Sequence, residues 1–163
     1  MPPRLTEKQE VMIYLINRLN KLGDKLNSRK KLMKLMFLLE HYDLELGRLI
    51  KNKLVGNRFI VYRYGVFSDD VMDDYINLYE RRLLNEHPIE ITRSISLRLL
   101  DEKTITRIDN IISRFGNYKA WDLEDMTLNM LGLTKKTKVN FFDVDVRKFI
   151  KPKYELPYEV PIA

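Results

Sequence analysis

Four aspartates are spaced so that they could bind a divalent cation. They form two pairs at four-residue spacing, which places the members of each pair on one face of a helix. The set is Asp69, Asp70, Asp73 and Asp74. Carboxylate oxygens are ligands for Mg²⁺, but the aspartates also follow Ser68, a preferred helix N-cap residue, and acidic groups stabilise the first turn of a helix. The capping interpretation is favoured, and a magnesium-dependent nuclease is the least expected function.

Other catalytic chemistry has few candidate residues. The chain has two histidines, His41 and His87, and no cysteine. We predict that His41 is solvent-facing or hydrogen-bonded on its helix and that His87 lies in a loop. The sequence contains no Gly-rich phosphate loop, no Gly-x-Ser-x-Gly elbow and no zinc-ligand spacing. It therefore predicts a protein that is not an enzyme and that uses no catalytic residue, metal or cofactor.

A cluster of cations occupies the start of the second predicted helix. It consists of Arg29, Lys30, Lys31 and Lys34. Cations are disfavoured at a helix N-terminus by about a few tenths of a kcal/mol each, which favours a role in contacting phosphates or an acidic protein. The alternative is a solvated rim whose lysine stems cover the helix. We expect the cluster at the surface, where serine substitutions would weaken partner binding without unfolding the chain.

A second candidate site is the junction Arg63-Tyr64-Gly65, between a predicted strand and a predicted helix. Gly65 is expected to supply a backbone conformation that other residues rarely adopt. Tyr64 can be a core residue or a contact residue. We therefore group Arg63 and Tyr64 with the cation cluster as candidate partner-binding or phosphate-binding residues.

The basic character of the chain lies at its two ends. The 163 residues carry a net charge of +6. Residues 1–53 contribute +6, residues 54–134 contribute −3 and residues 135–163 contribute +3. This asymmetry allows nucleic acid or an acidic protein as a partner. No apolar run is long enough for a membrane span or a secretory signal, so a cytoplasmic protein with no membrane contact is expected.

Apolar spacing predicts a mainly α (α+β) domain with five helices and a small β element. The helices are expected over 6–23, 28–46, 68–83, 104–115 and 122–131. The second is apolar around most of its circumference, which predicts a central buried helix. A strand is expected over 58–64, and alternation over 88–100 predicts a hairpin or one bent strand.

The chain is expected to divide into a helical domain over 1–134 and a C-terminal extension over 135–163. The extension is basic and aromatic, and its three prolines preclude a regular helix near its end. It could fold back over the domain or act as an extended peptide that a partner binds. Both options stay open.

Two segments resemble the SocA-like antitoxin (Panacea) domain and the related YwgA-like proteins. Residues 29–40, Arg-Lys-Lys-Leu-Met-Lys-Leu-Met-Phe-Leu-Leu-Glu, resemble the family's K-L-x-K-L-x-F/Y-L helix. Residues 62–71, Tyr-Arg-Tyr-Gly-Val-Phe-Ser-Asp-Asp-Val, resemble its Y-x-Y-G-P-Y-S-x-x-L junction, with Val66 at the position of the proline. Residues 108–126 are similar to its later helix pair. The resemblance spans about residues 5–132 and implies a non-catalytic domain that acts by protein contact and neutralises a paired toxin or hands it to a protease.

Two functions are therefore compared. The first is an antitoxin-like protein-binding module that contacts its partner through the cation cluster, the Tyr64 junction or the C-terminal extension. The alternative is a winged-helix DNA-binding regulator built from three N-terminal helices, with Arg93 and Arg98 on a wing over 88–99. Phosphates would repel the aspartates that open the third helix, which disfavours recognition by that helix. Nucleic-acid binding through the basic ends stays open, as does the oligomeric state, including a homodimer.

Overall fold

Five amphipathic or buried helices form the framework of the protein, and local sequence signals set their starts. The computed structural model describes residues 4–23, 26–51, 54 and 56–150. The helices are α1 (Glu7–Asn20), α2 (Arg29–His41), α3 (Asp69–Glu80), α4 (Glu102–Phe115) and α5 (Ala120–Met130). Thr6 and Gln9 form the capping box of α1, and Ser28, Ser68 and Asp101 cap the next three helices through their side chains. The predicted mainly α fold with five helices is confirmed.

In the described part of the chain, the strands form three short antiparallel pairs. They are β1 (Tyr42–Asp43) with β2 (Arg48–Leu49), β3 (Ile60–Tyr62) with β4 (Gly65–Phe67), and β5 (Leu84–Asn85) with β6 (Glu90–Ile91). The strand predicted over 58–64 is therefore only partly right. Its centre is β3, but the chain turns at Arg63 and Tyr64 and returns as β4, so Gly65 pairs with Tyr62. The expected strand–turn–helix junction is a hairpin followed by a helix.

The prediction of a hairpin or bent strand over 88–100 is wrong in its extent. Only Glu90–Ile91 is a strand, and its partner Leu84–Asn85 precedes the predicted segment. Residues 92–100 form no strand in the described structure. Ile95, Leu97 and Leu100 pack against the core as irregular chain. Leu99, which completes the alternating pattern, is exposed, and its amide donates to a Glu10 carboxylate oxygen at 2.9 Å.

Helix α2 lies at the centre of the core, as its sequence predicts. From Leu32 to His41 every side chain is buried, and Leu35, Phe37 and Leu38 are fully enclosed. The helix packs against α4, α5 and β4, while α1 packs against α3 and α4. A helix that is covered on all sides places even its polar residues inside the protein.

The described part of the C-terminal extension packs on the outer edge of β3. The Val61 amide donates to the Val144 carbonyl at 3.0 Å, and the Val146 amide donates to the Phe59 carbonyl at 3.1 Å. Two short 3-10 helices, Thr137–Phe141 and Val146–Phe149, flank this contact. Residues 151–163, which contain the three C-terminal prolines and Tyr154 and Tyr158, lie outside the described residues. In the described part of the chain, no helix combines the length and apolar character needed to cross a bilayer.

Candidate functional site

A groove of about 330 Å³ lies between the start of α2, the β3–β4 hairpin and the start of α3. We call it the hairpin groove. Its apolar surface is provided by Met33, Tyr62, Val66, Phe67 and Met72. Its other lining residues are Arg29, Lys30, Lys34 and Tyr64, four of the six residues that the sequence singled out. The tertiary structure therefore brings the cation cluster and the Tyr64 junction to one place.

Lys30 and Tyr64 meet at the mouth of the groove. The Lys30 Nζ lies 3.8 Å from the centroid of the Tyr64 ring, within the distance of a cation–π contact. The Tyr64 side chain is 58% exposed, and Lys30 and Arg63 are also exposed. We call Lys30, Arg63 and Tyr64 the rim patch. Lys31, the remaining member of the predicted set, is half-buried on α2.

Arg29 is held by a carboxylate of the same molecule. Its guanidinium donates to both oxygens of Glu86, at 2.7 and 2.9 Å, and lies 5.0 Å from the centroid of the Tyr75 ring. The Tyr75 hydroxyl donates to the same carboxylate. The Arg29 and Tyr75 hydrogen bonds lower the pKa of Glu86 to about 2. Arg29 therefore ties α2 to the β5–β6 hairpin, and its charge is already neutralised.

The lowered pKa of Glu86 predicts acid sensitivity. Its usual value is 4.5, so the carboxylate stabilises the fold above that pH and loses this contribution as the pH falls toward 2. Thermal denaturation of Glu86→Gln should therefore show a smaller drop in Tm between about pH 5 and pH 3 than the wild type, because glutamine does not titrate. Equal drops in Tm for both proteins would show that the ion pair does not contribute to stability.

Lys34 corrects the expectation that the whole cation cluster lies at the surface. Its side chain is 2% exposed, and its Nζ donates to the Val66 carbonyl at 3.3 Å. Burial lowers the pKa of Lys34 to about 8, because the charged form loses its hydration. The reason is the central position of α2, which turns Lys34 toward α5 and the hairpin rather than toward solvent. A Lys34→Ser substitution is therefore a change in the core.

Two further residues complete the support of the hairpin, and the sequence interpretation missed both. Glu124 on α5 accepts from the Lys138 Nζ at 3.0 Å, in a pair that is 11% exposed on each side. Lys138 also donates to the Arg63 carbonyl. Lys34 thus holds the Val66 carbonyl and Lys138 holds the Arg63 carbonyl, one on each side of Tyr64 and Gly65 in the hairpin. The sequence contained a weak signal that Glu124 is buried. Glu124 lies four residues before the apolar Leu128 and therefore shares a helix face with it.

Gly65 lets the turn approach α5 closely. Its φ of +94° lies in the region that glycine adopts readily, as the sequence predicted. A Cβ at this position would lie 3.1 Å from the Glu124 Cγ and 3.7 Å from the Lys34 Cε. The close approach is what allows both lysine ammonium groups to reach the carbonyls of the turn.

The aspartates of α3 are used for structure or are exposed. Asp70 accepts the Arg58 amide at 2.8 Å, whereas Asp69 and Asp73 face solvent. Burial raises the pKa of Asp74.

His41 is buried, with its Nδ1 2.9 Å from the Ile50 carbonyl oxygen. Within the described ranges, no three histidine or carboxylate side chains are grouped so that they could hold a metal ion.

A second, more polar cleft of about 660 Å³ lies at the opposite end of α2, beside the start of α4. Its Arg107 guanidinium donates to the carbonyls of Leu39 and Tyr42, at 2.8 and 2.6 Å, which satisfies acceptors at the C-terminal end of α2. The cleft also contains exposed Lys103. Arg107 therefore holds α4 to the end of α2, and its guanidinium is already used by these contacts. The hairpin groove is the stronger candidate site.

One family model matches the chain, that of the antitoxin SocA-like Panacea domain, over residues 32–130. The matched range includes most of α2, the β3–β4 hairpin, α3, α4 and α5. It therefore contains Lys34, Tyr64, Gly65 and Glu124, whereas Lys30 and Lys138 lie outside it. None of the curated proteins and none of the solved structures match the chain.

Proposed function

The chain belongs to the SocA-like Panacea antitoxin family, and from this membership we propose that it is a non-catalytic, cytoplasmic module that binds a partner toxin and neutralises or delivers it. The proposed contact surface is the rim patch. The observation that carries this choice is the stacking of Lys30 on Tyr64 at the mouth of an apolar groove. Two residues more than thirty positions apart in the chain thereby present a cation and an aromatic ring together.

The residue types of the rim patch suit a protein interface. Tyrosine and arginine are among the residues that most often dominate binding energy. The Lys30–Tyr64 contact restricts both side chains before binding, which reduces the entropy that association costs. The apolar groove beside them would receive a side chain of the partner. The groove would therefore hold an anchor side chain of the partner, and the rim patch would form the polar edge around it.

Charge favours an acidic partner surface. In the described part of the chain, neither Lys30 nor Arg63 forms a salt bridge with a carboxylate. Complementary charge speeds encounter and selects partners. Exposed Asp69 and Asp73 on the neighbouring helix α3 would repel a phosphate backbone, which is negative along its whole length, whereas a protein can place its carboxylates at Lys30 and Arg63 alone. A protein is therefore favoured over nucleic acid.

Recovery of the partner from the native host tests the proposal. The tagged full chain is used to capture proteins from host lysate, with and without nuclease, and each captured protein is then expressed alone in a test strain. We expect one stoichiometric, nuclease-resistant protein that arrests growth alone but not when expressed with this chain. Recovery that collapses with nuclease, or a captured protein whose toxicity the chain does not relieve, would contradict the proposal.

Substitution of the rim patch should separate binding from folding. The double variant Lys30→Ser/Tyr64→Ala is expected to weaken toxin binding by about 30-fold or more, since the loss of one anchor residue costs about 2 kcal/mol or more. Its Tm should stay within a few degrees of the wild type because both side chains are exposed. Isothermal titration calorimetry with the recovered toxin measures the effect.

Lys103→Ser is the matched control for this experiment. It removes one exposed lysine at the other end of α2 and should leave toxin affinity unchanged. If the double variant binds like the wild type while Lys103→Ser does not, the interface lies at the polar cleft beside α4. Loss of binding in all variants would indicate an effect of net charge alone.

A further inference from the structure

Lys34 lines the hairpin groove, and it is a buried lysine whose ammonium group has few acceptors. Among the described residues, the Val66 carbonyl is the one hydrogen-bond acceptor of the Lys34 Nζ, at 3.3 Å. An ammonium group has three N–H donors. The nearby Glu124 carboxylate accepts from Lys138 instead. A buried cation is costly unless its donors are satisfied, so this position favours an additional anionic acceptor.

The rest of the groove is suited to an apolar body. Met33, Phe67 and Met72 line it, and methionine side chains adapt to ligands of different shape. Its volume of about 330 Å³ is at the lower end of the range for small-molecule sites, which is roughly 300–1,000 Å³. At about 30 Å³ for each heavy atom, the value for liquid water, this space holds roughly eleven atoms.

The charges around the groove are of one sign. Lys30 lies at the mouth and Lys34 at the wall, and no aspartate or glutamate of the described residues lines the groove. Arg29, which also lines it, is neutralised by Glu86. An occupant with one negative charge and an apolar chain is therefore complementary to the groove.

We infer that the hairpin groove binds an aliphatic carboxylate of medium chain length, whose chain packs among Met33, Phe67 and Met72 and whose carboxylate accepts hydrogen bonds from Lys34. The site shares Lys30 and Tyr64 with the rim patch but needs no protein partner. The inference therefore goes beyond the proposed antitoxin role, and each can be tested without the other.

Calorimetric titration of the full chain with sodium octanoate tests the inference. Octanoate is expected to bind at one site per chain, and 1-octanol, which has the same chain length without the charge, should bind at least tenfold more weakly. Equal affinity for the two compounds would show that the groove selects apolar chains only, and that result overturns the inference. Absence of octanoate binding overturns it as well.

The variant Lys34→Met removes the charge and keeps the length of the side chain. Replacing a buried charge with an apolar group of similar volume is often tolerated, so the variant is expected to fold. It should bind octanoate at least tenfold more weakly than the wild type, while Lys103→Ser should bind it equally well. Unchanged octanoate affinity in folded Lys34→Met would exclude Lys34 as the carboxylate partner.

If Lys34→Met fails to fold, the pH dependence of octanoate binding to the wild type tests whether Lys34 holds the carboxylate. The charged groups that face Lys34 are Lys30 on the same helix, Glu124 on α5 and Lys138 in the 3-10 helix Thr137–Phe141. Burial lowers the pKa of Lys34 to about 8, so its ammonium form is lost as the pH rises through that value. Octanoate affinity should fall between about pH 7 and pH 9.5, whereas octanol affinity should not. Equal pH dependence for both compounds would overturn the inference.

Discussion

Replacing Glu124 with alanine is expected to destabilise the folded protein by about 3–5 kcal/mol, because breaking a buried ion pair leaves an uncompensated charge inside. The Glu124 carboxylate lies 3.0 Å from the Lys138 Nζ, and its charge also acts on Lys34. The variant would leave two cations with no carboxylate beside them under the β3–β4 hairpin. Urea denaturation followed by circular dichroism measures the change in the free energy of unfolding.

The adjacent residue provides a matched control for Glu124→Ala. Asp125 on the same helix pairs with Lys135 at 3.4 Å, but the two side chains are 50% and 42% exposed. Asp125→Ala is expected to cost at most about 1 kcal/mol, since exposed ion pairs contribute little. Similar losses in the two variants would mean that burial does not strengthen the Glu124–Lys138 pair.

Gly65→Ala is expected to cost about 2–5 kcal/mol in the free energy of unfolding. The left-handed backbone at φ +94° disfavours alanine by roughly 1–2 kcal/mol. The added Cβ would also lie 3.1 Å from the Glu124 Cγ, and overpacking of this kind costs about 1–3 kcal/mol. Because the turn presents Tyr64, the variant should also weaken octanoate and toxin binding.

Gly23→Ala separates the two contributions to this loss. Gly23 has the same φ of +94°, but a Cβ there would have no atom of the described residues within 4 Å. It should therefore show only the backbone cost of roughly 1–2 kcal/mol. Equal free-energy losses for Gly23→Ala and Gly65→Ala, measured in urea, would show that α5 moves away from the turn without penalty.

Local signals were sufficient to predict the helices of this protein. The capping residues Thr6, Ser28 and Ser68 and the apolar spacing behind them depend only on neighbours within one or two turns. The left-handed backbone at Gly65 was likewise predictable from a local feature, the glycine itself. The β structure was less predictable, because an alternating pattern such as that of residues 92–100 does not specify whether another strand lies beside it.

The sequence singled out four of the residues that line the hairpin groove, but not their roles. Arg29, Lys30, Lys34 and Tyr64 were identified from residue type and position, and the structure places them around one groove. Their sequence neighbourhoods are similar, yet Arg29 pairs with Glu86, Lys30 stacks on Tyr64 and Lys34 is buried. Those differences depend on residues that lie thirty or more positions away in the chain.

The amino-acid order determined the five helices and the family, and it singled out Arg29, Lys30, Lys34 and Tyr64, because each of these depends on short-range patterns. Only the tertiary structure decided which cation is exposed and which is buried, and that Glu124 and Lys138 support the turn. The physical reason is that burial and ion pairing arise from the packing of α2, α5 and the hairpin against one another. No one of these segments contains that information alone.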